Sequence, residues 1–164
     1  MFGLLLGYLT LHKIYEKFGP VRGVLPEVTF VDRQGQPVTL AGFEGQVVLV
    51  NLWATWCPPC VAELPSLNAL QGQLRDKGFK VVAISVDRSD LATIDAFWQA
   101  RDTAQLDFYW DKGRAIPSRW TYEGSASSFL LVRRGRVLRV FNGAYKWDEE
   151  EISRTIEAAL AKAD

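Results

Sequence analysis

Apolar positions along the chain fall into three patterns, and each predicts a different element. Gln46-Val47-Val48-Leu49-Val50-Asn51-Leu52-Trp53 and Phe79-Lys80-Val81-Val82-Ala83-Ile84-Ser85-Val86 are nearly continuous apolar runs, the mark of strands buried on both faces. Between them Leu64, Leu67, Leu70 and Leu74 recur at helical spacing and predict a helix over about residues 59–77. Pro65 falls inside that helix and predicts a kink, because proline has no N–H and crowds the preceding turn. Shorter runs broken by turn residues predict two hairpins, residues 27–31 with 37–40 and residues 128–132 with 136–141, the second turning at Arg134-Gly135. Residues 106–110 read as a further strand-like piece. Asp90 is placed to cap a helix over residues 92–100, and Asp148 a last helix through residue 161.

The order is hairpin, strand, helix, strand, helix, strand-like piece, hairpin, helix. Alternating strands and helices predict an α/β fold with parallel strands at the centre of a mixed sheet, covered on both faces. Residues 26–164 make one domain in this reading, with the first hairpin as an N-terminal extension. Residues 1–25 stand apart. Residues 2–11 are apolar but shorter than the ~20 residues that span a bilayer, and they lack the basic start and cleavage site of a secretory signal. The stub of a membrane anchor, a helix packed on the domain (Leu4, Leu5, Tyr8, Leu11 and Tyr15 are helically spaced) and an interfacial helix all fit. Membrane association through this end is therefore an expectation to hold open.

Composition narrows the function. Apolar residues make up 48% of the 164 and charged residues 23%, which is globular rather than disordered. Nineteen basic residues balance nineteen acidic ones, so there is no basic excess for a nucleic-acid partner. The 2 cysteines are too few for a disulfide scaffold. Lying two residues apart, they would close a loop too small to stabilise much.

Those cysteines, Cys57 and Cys60, sit in Trp56-Cys57-Pro58-Pro59-Cys60, where a buried strand ends and a helix opens. There the unpaired N–H groups and dipole of the helix favour a thiolate on Cys57, the form that attacks disulfides. Cys60, one turn on, is placed to resolve a mixed disulfide. Pro58 and Pro59 stiffen the turn. A zinc half-site would need about four ligands, yet no second cysteine pair exists and the one histidine, His12, lies far upstream. Two inert core cysteines would make poor use of the prolines and aromatic neighbours between and around them. A peroxidase reading fails for want of a Thr-x-x-Cys run.

The run from Val47 to Pro65, centred on Trp53-Ala54-Thr55-Trp56-Cys57-Pro58-Pro59-Cys60-Val61-Ala62-Glu63-Leu64-Pro65, resembles the TlpA/ResA-like branch of the thioredoxin superfamily. The likeness extends more loosely from Pro26 to the last helix, including Gly143 and Trp147. It implies a thioredoxin fold and a thiol–disulfide oxidoreductase, working as a reductase with no cofactor and no resident metal. It also implies disulfide-bearing or dithiol protein partners, as in cytochrome c maturation, and an upstream thiol donor. The setting implied is periplasmic or otherwise extracytoplasmic in a bacterium. Glu63 matches an acidic residue that handles protons near the cysteines in that family; a solvated helix position is the other reading. Asn51 stands where thioredoxins carry a buried aspartate, and a neutral side chain there cannot take a proton from Cys60.

One departure concerns the loop that faces the cysteines in the family, a Gly-x-Pro-Thr-Thr-Phe run. Here it is Gly124-Ser125-Ala126-Ser127-Ser128-Phe129, with alanine in place of the cis-proline. A cis bond costs about 3–4 kcal/mol before a residue other than proline, so Ser125–Ala126 is either trans, reshaping the groove, or cis and strained. Pro117 is too far from Ser128 to take that place. Trp56, Pro58, Pro59, Ser125 and Ala126 are the expected substrate groove, with Trp53 beside it. An alternative follows from the altered loop: a thioredoxin-fold binding or metal-handling module with weak general redox activity. The polar run Asp87-Arg88-Ser89-Asp90 lies near the carboxyl edge of the sheet, where it could border the groove.

Overall fold

The computed structural model describes residues 23–120, 126–131 and 134–162. Its apolar runs assemble into one mixed sheet. β1 is Gly23–Val24, β2 Phe30–Val31, β3 Pro37–Val38, β4 Val47–Trp53, β5 Phe79–Ser85, β6 Phe108–Trp110, β7 Ser127–Leu131 and β8 Arg136–Asn142. Among the described residues they lie in the order β1-β8-β7-β4-β5-β6-β2-β3. The two continuous runs pair in parallel from Val47↔Phe79 to Trp53↔Ser85, and every residue of β4 is buried. Their apolar continuity is thus the signature of a central position. β7 closes on the other side of β4, antiparallel, with Asn51 opposite Ser128.

Among the described residues four α-helices follow the strands: α1 Pro58–Leu74, α2 Leu91–Gln99, α3 Ile116–Arg119 and α4 Glu150–Ala161. Alternation along β4 sends Val47, Leu49 and Trp53 to one face, where they pack with Leu64, Leu67, Ile94, Trp98 and Ile156 from α1, α2 and α4. Val48, Val50 and Leu52 point the other way, against Phe30, Ile116 and Trp120. The expected α/β thioredoxin fold, with its hairpin extension at β2–β3, is the architecture found. Helix α1 is further tied to β5 by Gln71, whose Nε2 donates to Phe79 O at 3.2 Å while its Oε1 accepts from Val81 N at 2.6 Å.

Some boundaries differ from expectation. α1 begins at Pro58 and runs through Pro65 before tightening to a 3-10 turn at Arg75–Lys77. Asp90 caps α2 as expected, accepting from Thr93 N at 2.8 Å. Asp148 does not cap α4. Glu149 holds that position without a side-chain bond, because its carbonyl accepts from Ile152 N and Ser153 N and starts the helix one residue later. The strand β1, the 3-10 turn Leu40–Phe43 and α3 carry too few residues for a periodic signal. Pro117 lies within α3, on the sheet face away from the cysteines. No helix among the described residues is long and apolar enough to cross a membrane; the apolar stretch 2–11 lies outside the described residues.

Candidate redox site

The site grows out of the carboxyl end of β4. Leaving the sheet at Trp53, the chain must turn within four residues to begin α1 at Pro58. Asp87, at the end of the neighbouring strand, holds that turn. Its carboxylate accepts from Thr55 N at 2.9 Å and Thr55 Oγ1 at 2.6 Å, and Ser85 Oγ donates to it at 2.7 Å. The polar run at 87–90 is therefore not a groove edge at its first residue, since Asp87 is buried. Trp110 Nε1 donates to its carbonyl at 3.1 Å and fixes it from β6. Asp87→Ala strands the Thr55 N–H and two hydroxyls, one of them fully buried, and unfolding by urea should show a loss of about 2 kcal/mol, partly restored in Asp87→Asn.

Cys57 and Cys60 are joined as a disulfide, with Cα atoms 5.3 Å apart. Cys57 occupies the N-cap of α1, and Pro58 and Pro59 fill the next two positions. A capping side chain ordinarily accepts from the second or third helical N–H. Proline removes the donor at the second, so the Cys60 N–H is the one left to face a Cys57 thiolate, aided by the helix dipole. The prolines thus trim the stabilisation of the thiolate as well as stiffening the turn. Trp56 is 61% exposed, and Pro58 and Pro59 are exposed beside it. Cys57 is only 2% exposed and Cys60 is fully buried. Trp53, by contrast, is no groove wall: it lies in the core against Phe97, Trp98 and Phe108.

Glu63 is not a solvated helix residue. It follows Cys60 by one turn on the buried face of α1 and is 2% exposed. Its Oε1 accepts from Tyr145 N at 3.0 Å and from Trp147 Nε1 at 2.8 Å. Burial raises its pKa from 4.5 to about 7, and the bonds from Tyr145, Trp147 and Asn51 offset only part of that rise. Asn51, on β4 beneath the helix, donates through Nδ2 to Ser128 Oγ at 2.9 Å. Trp147 packs in the core and also orients the carboxylate. Nothing local signals that second role, because the two residues meet only through the return of the chain from β8.

Of the expected groove, Ala126 is described: it is buried, and its carbonyl accepts from Gly143 N at 2.8 Å. Ser125, and with it the geometry of the Ser125–Ala126 bond, lies outside the described residues. Among the described residues no group of three or more His, Cys, Asp or Glu side chains is gathered as metal ligands.

Comparison with known proteins agrees with this geometry. The Redoxin family model matches residues 21–158. A thiol-disulfide oxidoreductase ResA of Bacillus thuringiensis subsp. konkukian is 30% identical over 137 residues, spanning 84% of this chain and 75% of the relative. A Chlorobium tepidum thioredoxin-family thiol:disulfide interchange protein superposes with a TM-score of 0.66 at 26% identity, covering 86% of this chain and 98% of the other. A secreted Mycobacterium tuberculosis disulfide oxidoreductase, at 23% identity and a TM-score of 0.66 over 79% of this chain and 94% of its own, shares the fold.

Proposed function

The chain belongs to the redoxin family of thioredoxin-fold proteins, among the ResA-like thiol–disulfide oxidoreductases, and from that premise we propose that it reduces disulfides in extracytoplasmic protein partners. The observation that carries this reading is the Cys57–Cys60 pair at the N-terminus of α1 with a buried, proton-retaining Glu63 one turn away. In the dithiol form, the Cys57 thiolate attacks a partner disulfide. A Cys57–partner disulfide forms and the displaced partner sulfur leaves as a thiolate that takes up a proton. Glu63, as a carboxylate, takes the proton of the Cys60 thiol, and the Cys60 thiolate attacks Cys57 Sγ. The internal disulfide closes and the second partner sulfur departs, to be protonated in turn. Two electrons pass to the partner, and an upstream dithiol donor restores the cysteines.

A carboxyl group with a pKa near 7 suits this work, since it both accepts and returns a proton at ambient pH. Trp56, Pro58 and Pro59, exposed beside Cys57, form the surface that receives the partner chain. The apolar segment at residues 2–11 supports a location at or beyond a membrane surface. Glu63→Gln tests the proton role. Insulin reduction with dithiothreitol as donor should slow by about 100-fold at neutral pH. The pH dependence that wild type shows near 7 should vanish with it. A variant with the wild-type rate and profile would remove Glu63 from the mechanism.

A further inference from the structure

The two oxygens of the Glu63 carboxyl are not equivalent. Oε1 accepts from Tyr145 N at 3.0 Å and from Trp147 Nε1 at 2.8 Å, and two donors engage both lone pairs of a carboxylate oxygen. Oε2 is buried and has no hydrogen-bond partner among the described residues. The Asn51 amide also favours the ionised carboxyl, as the smallest of three such pulls. A proton placed on Oε1 would displace an N–H donor into a dry interior, at a cost of roughly 1–3 kcal/mol. On Oε2 a lone pair is open to it. We propose that Trp147 is a positioning residue for the proton step: with the Tyr145 N–H it saturates Oε1 and leaves Oε2 as the oxygen that takes the Cys60 proton.

Trp147 is held for this from two sides. Its backbone N–H donates to Ser66 Oγ at 3.1 Å, and Ser66 Oγ donates to Glu63 O at 2.9 Å, so residue 147 is docked on the turn of α1 that carries Glu63. Its ring is fully buried, edge-on to Phe141 with centroids 5.0 Å apart and tilted against Tyr145 at 5.5 Å. Gly143 N donates to Ala126 O at 2.8 Å and anchors the start of the same segment just before β7. An indole fixed in this way keeps its N–H on Oε1 whether the carboxyl is charged or neutral, and no donor has to reorganise as the proton moves. In the step itself the Cys60 S–H bond breaks and an O–H bond forms on Oε2. The electron pair stays on sulfur, and the negative charge passes from carboxylate to thiolate.

The bond from the indole is stronger to the ionised carboxylate than to the neutral acid, so Trp147 also opposes the rise that burial imposes on Glu63. Among the described residues few other groups bear on this proton. On α1 the Cys57–Cys60 disulfide does not titrate. The loop before α4 contributes Tyr145, whose phenol is pushed up by burial first and by Glu63 second and stays neutral at ambient pH. Arg139 of β8 acts on Tyr145, and Asn51 of β4 is uncharged.

The inference rests on Glu63 being the proton carrier, and the test separates the two. In the oxidised, isotope-labelled full chain, NMR follows the Glu63 carboxyl carbon and the Trp147 indole N–H from about pH 5 to about pH 9. The indole N–H should stay protected from hydrogen exchange on both sides of the Glu63 midpoint, because Oε1 remains its acceptor throughout. Trp147→Phe should move that midpoint up by about one unit, since a charge-assisted bond is lost. Insulin reduction by this variant should be about fivefold slower than wild type near pH 7, the gap closing by about pH 9. Benzothienylalanine at position 147, with sulfur in place of the indole N–H, keeps the ring shape and gives the same reading should the phenylalanine variant unfold. An unmoved midpoint with a rate lowered equally at every pH would make the indole packing alone and overturn the positioning role while leaving Glu63 in place. Loss of indole protection below the midpoint would put the proton on Oε1 and overturn the assignment. A wild-type midpoint in the ordinary carboxylate range overturns both the inference and the carrier.

Discussion

Cys57→Ser should reduce insulin no faster than dithiothreitol alone, whereas Cys60→Ser should keep the first chemical step and lose the second. The asymmetry follows from position. Cys57 caps α1, where a thiolate meets the helix dipole and the Cys60 N–H, and the exposed Trp56, Pro58 and Pro59 surround it. Cys60 is fully buried in the core, bonded to Cys57. With Cys60 replaced, nothing expels the partner once it is attached, so a mixed disulfide should accumulate at Cys57. Mass spectrometry after reaction with a disulfide-bearing peptide reads this directly. Expected are a covalent adduct on Cys57 in Cys60→Ser, none in Cys57→Ser, and turnover only in wild type. An adduct carried by Cys60 in Cys57→Ser would reverse the assignment. Full insulin reduction by either variant would move the chemistry elsewhere.

The features that carry this prediction were legible because they are local. A buried run, two cysteines spaced by prolines and a leucine stripe are contiguous from Val47 to Leu74, and strand, turn and helix follow from period and composition alone. What surrounds the cysteines is not local. Thr55 reaches Asp87 across 32 positions, so a residue that reads as loop polarity is in fact an interior anchor. Glu63 meets Tyr145 and Trp147 across 82 and 84 positions. Its burial therefore depends on the chain returning through β8, which no helical wheel of α1 contains. Asn51 was visible as a neutral replacement, but its partner Ser128 appears only once the antiparallel register is known. The short strand at Gly23–Val24 is fixed by its pairing with Val137 and Arg136, not by any pattern of its own.

The same burial that equips Glu63 for proton work sets the dependence of stability on pH. In the unfolded chain Glu63 titrates at its ordinary value near 4.5, and in the folded protein near 7. Between those values the native state holds a proton that the unfolded state has released, so unfolding loses a proton and rising pH favours it. Below about pH 4.5 the carboxyl is neutral in both states and the penalty is absent. Above about pH 7 the native state must bury the charge, and stability is lower by about 3 kcal/mol. Other resolved shifts act outside this window. Asp90 is held below its usual value by the Thr93 amide and acts at lower pH, while Tyr109, pushed up to about 12 by burial, acts at much higher pH. Urea unfolding of the oxidised protein from about pH 5 to about pH 8 should therefore show a falling midpoint. Glu63→Gln, which keeps an acceptor for Tyr145 and Trp147 but cannot ionise, should remove that fall and be the more stable chain at the alkaline end. Parallel curves for the two proteins would mean that Glu63 carries no buried charge at neutral pH, and its place in the proton path would fall with it.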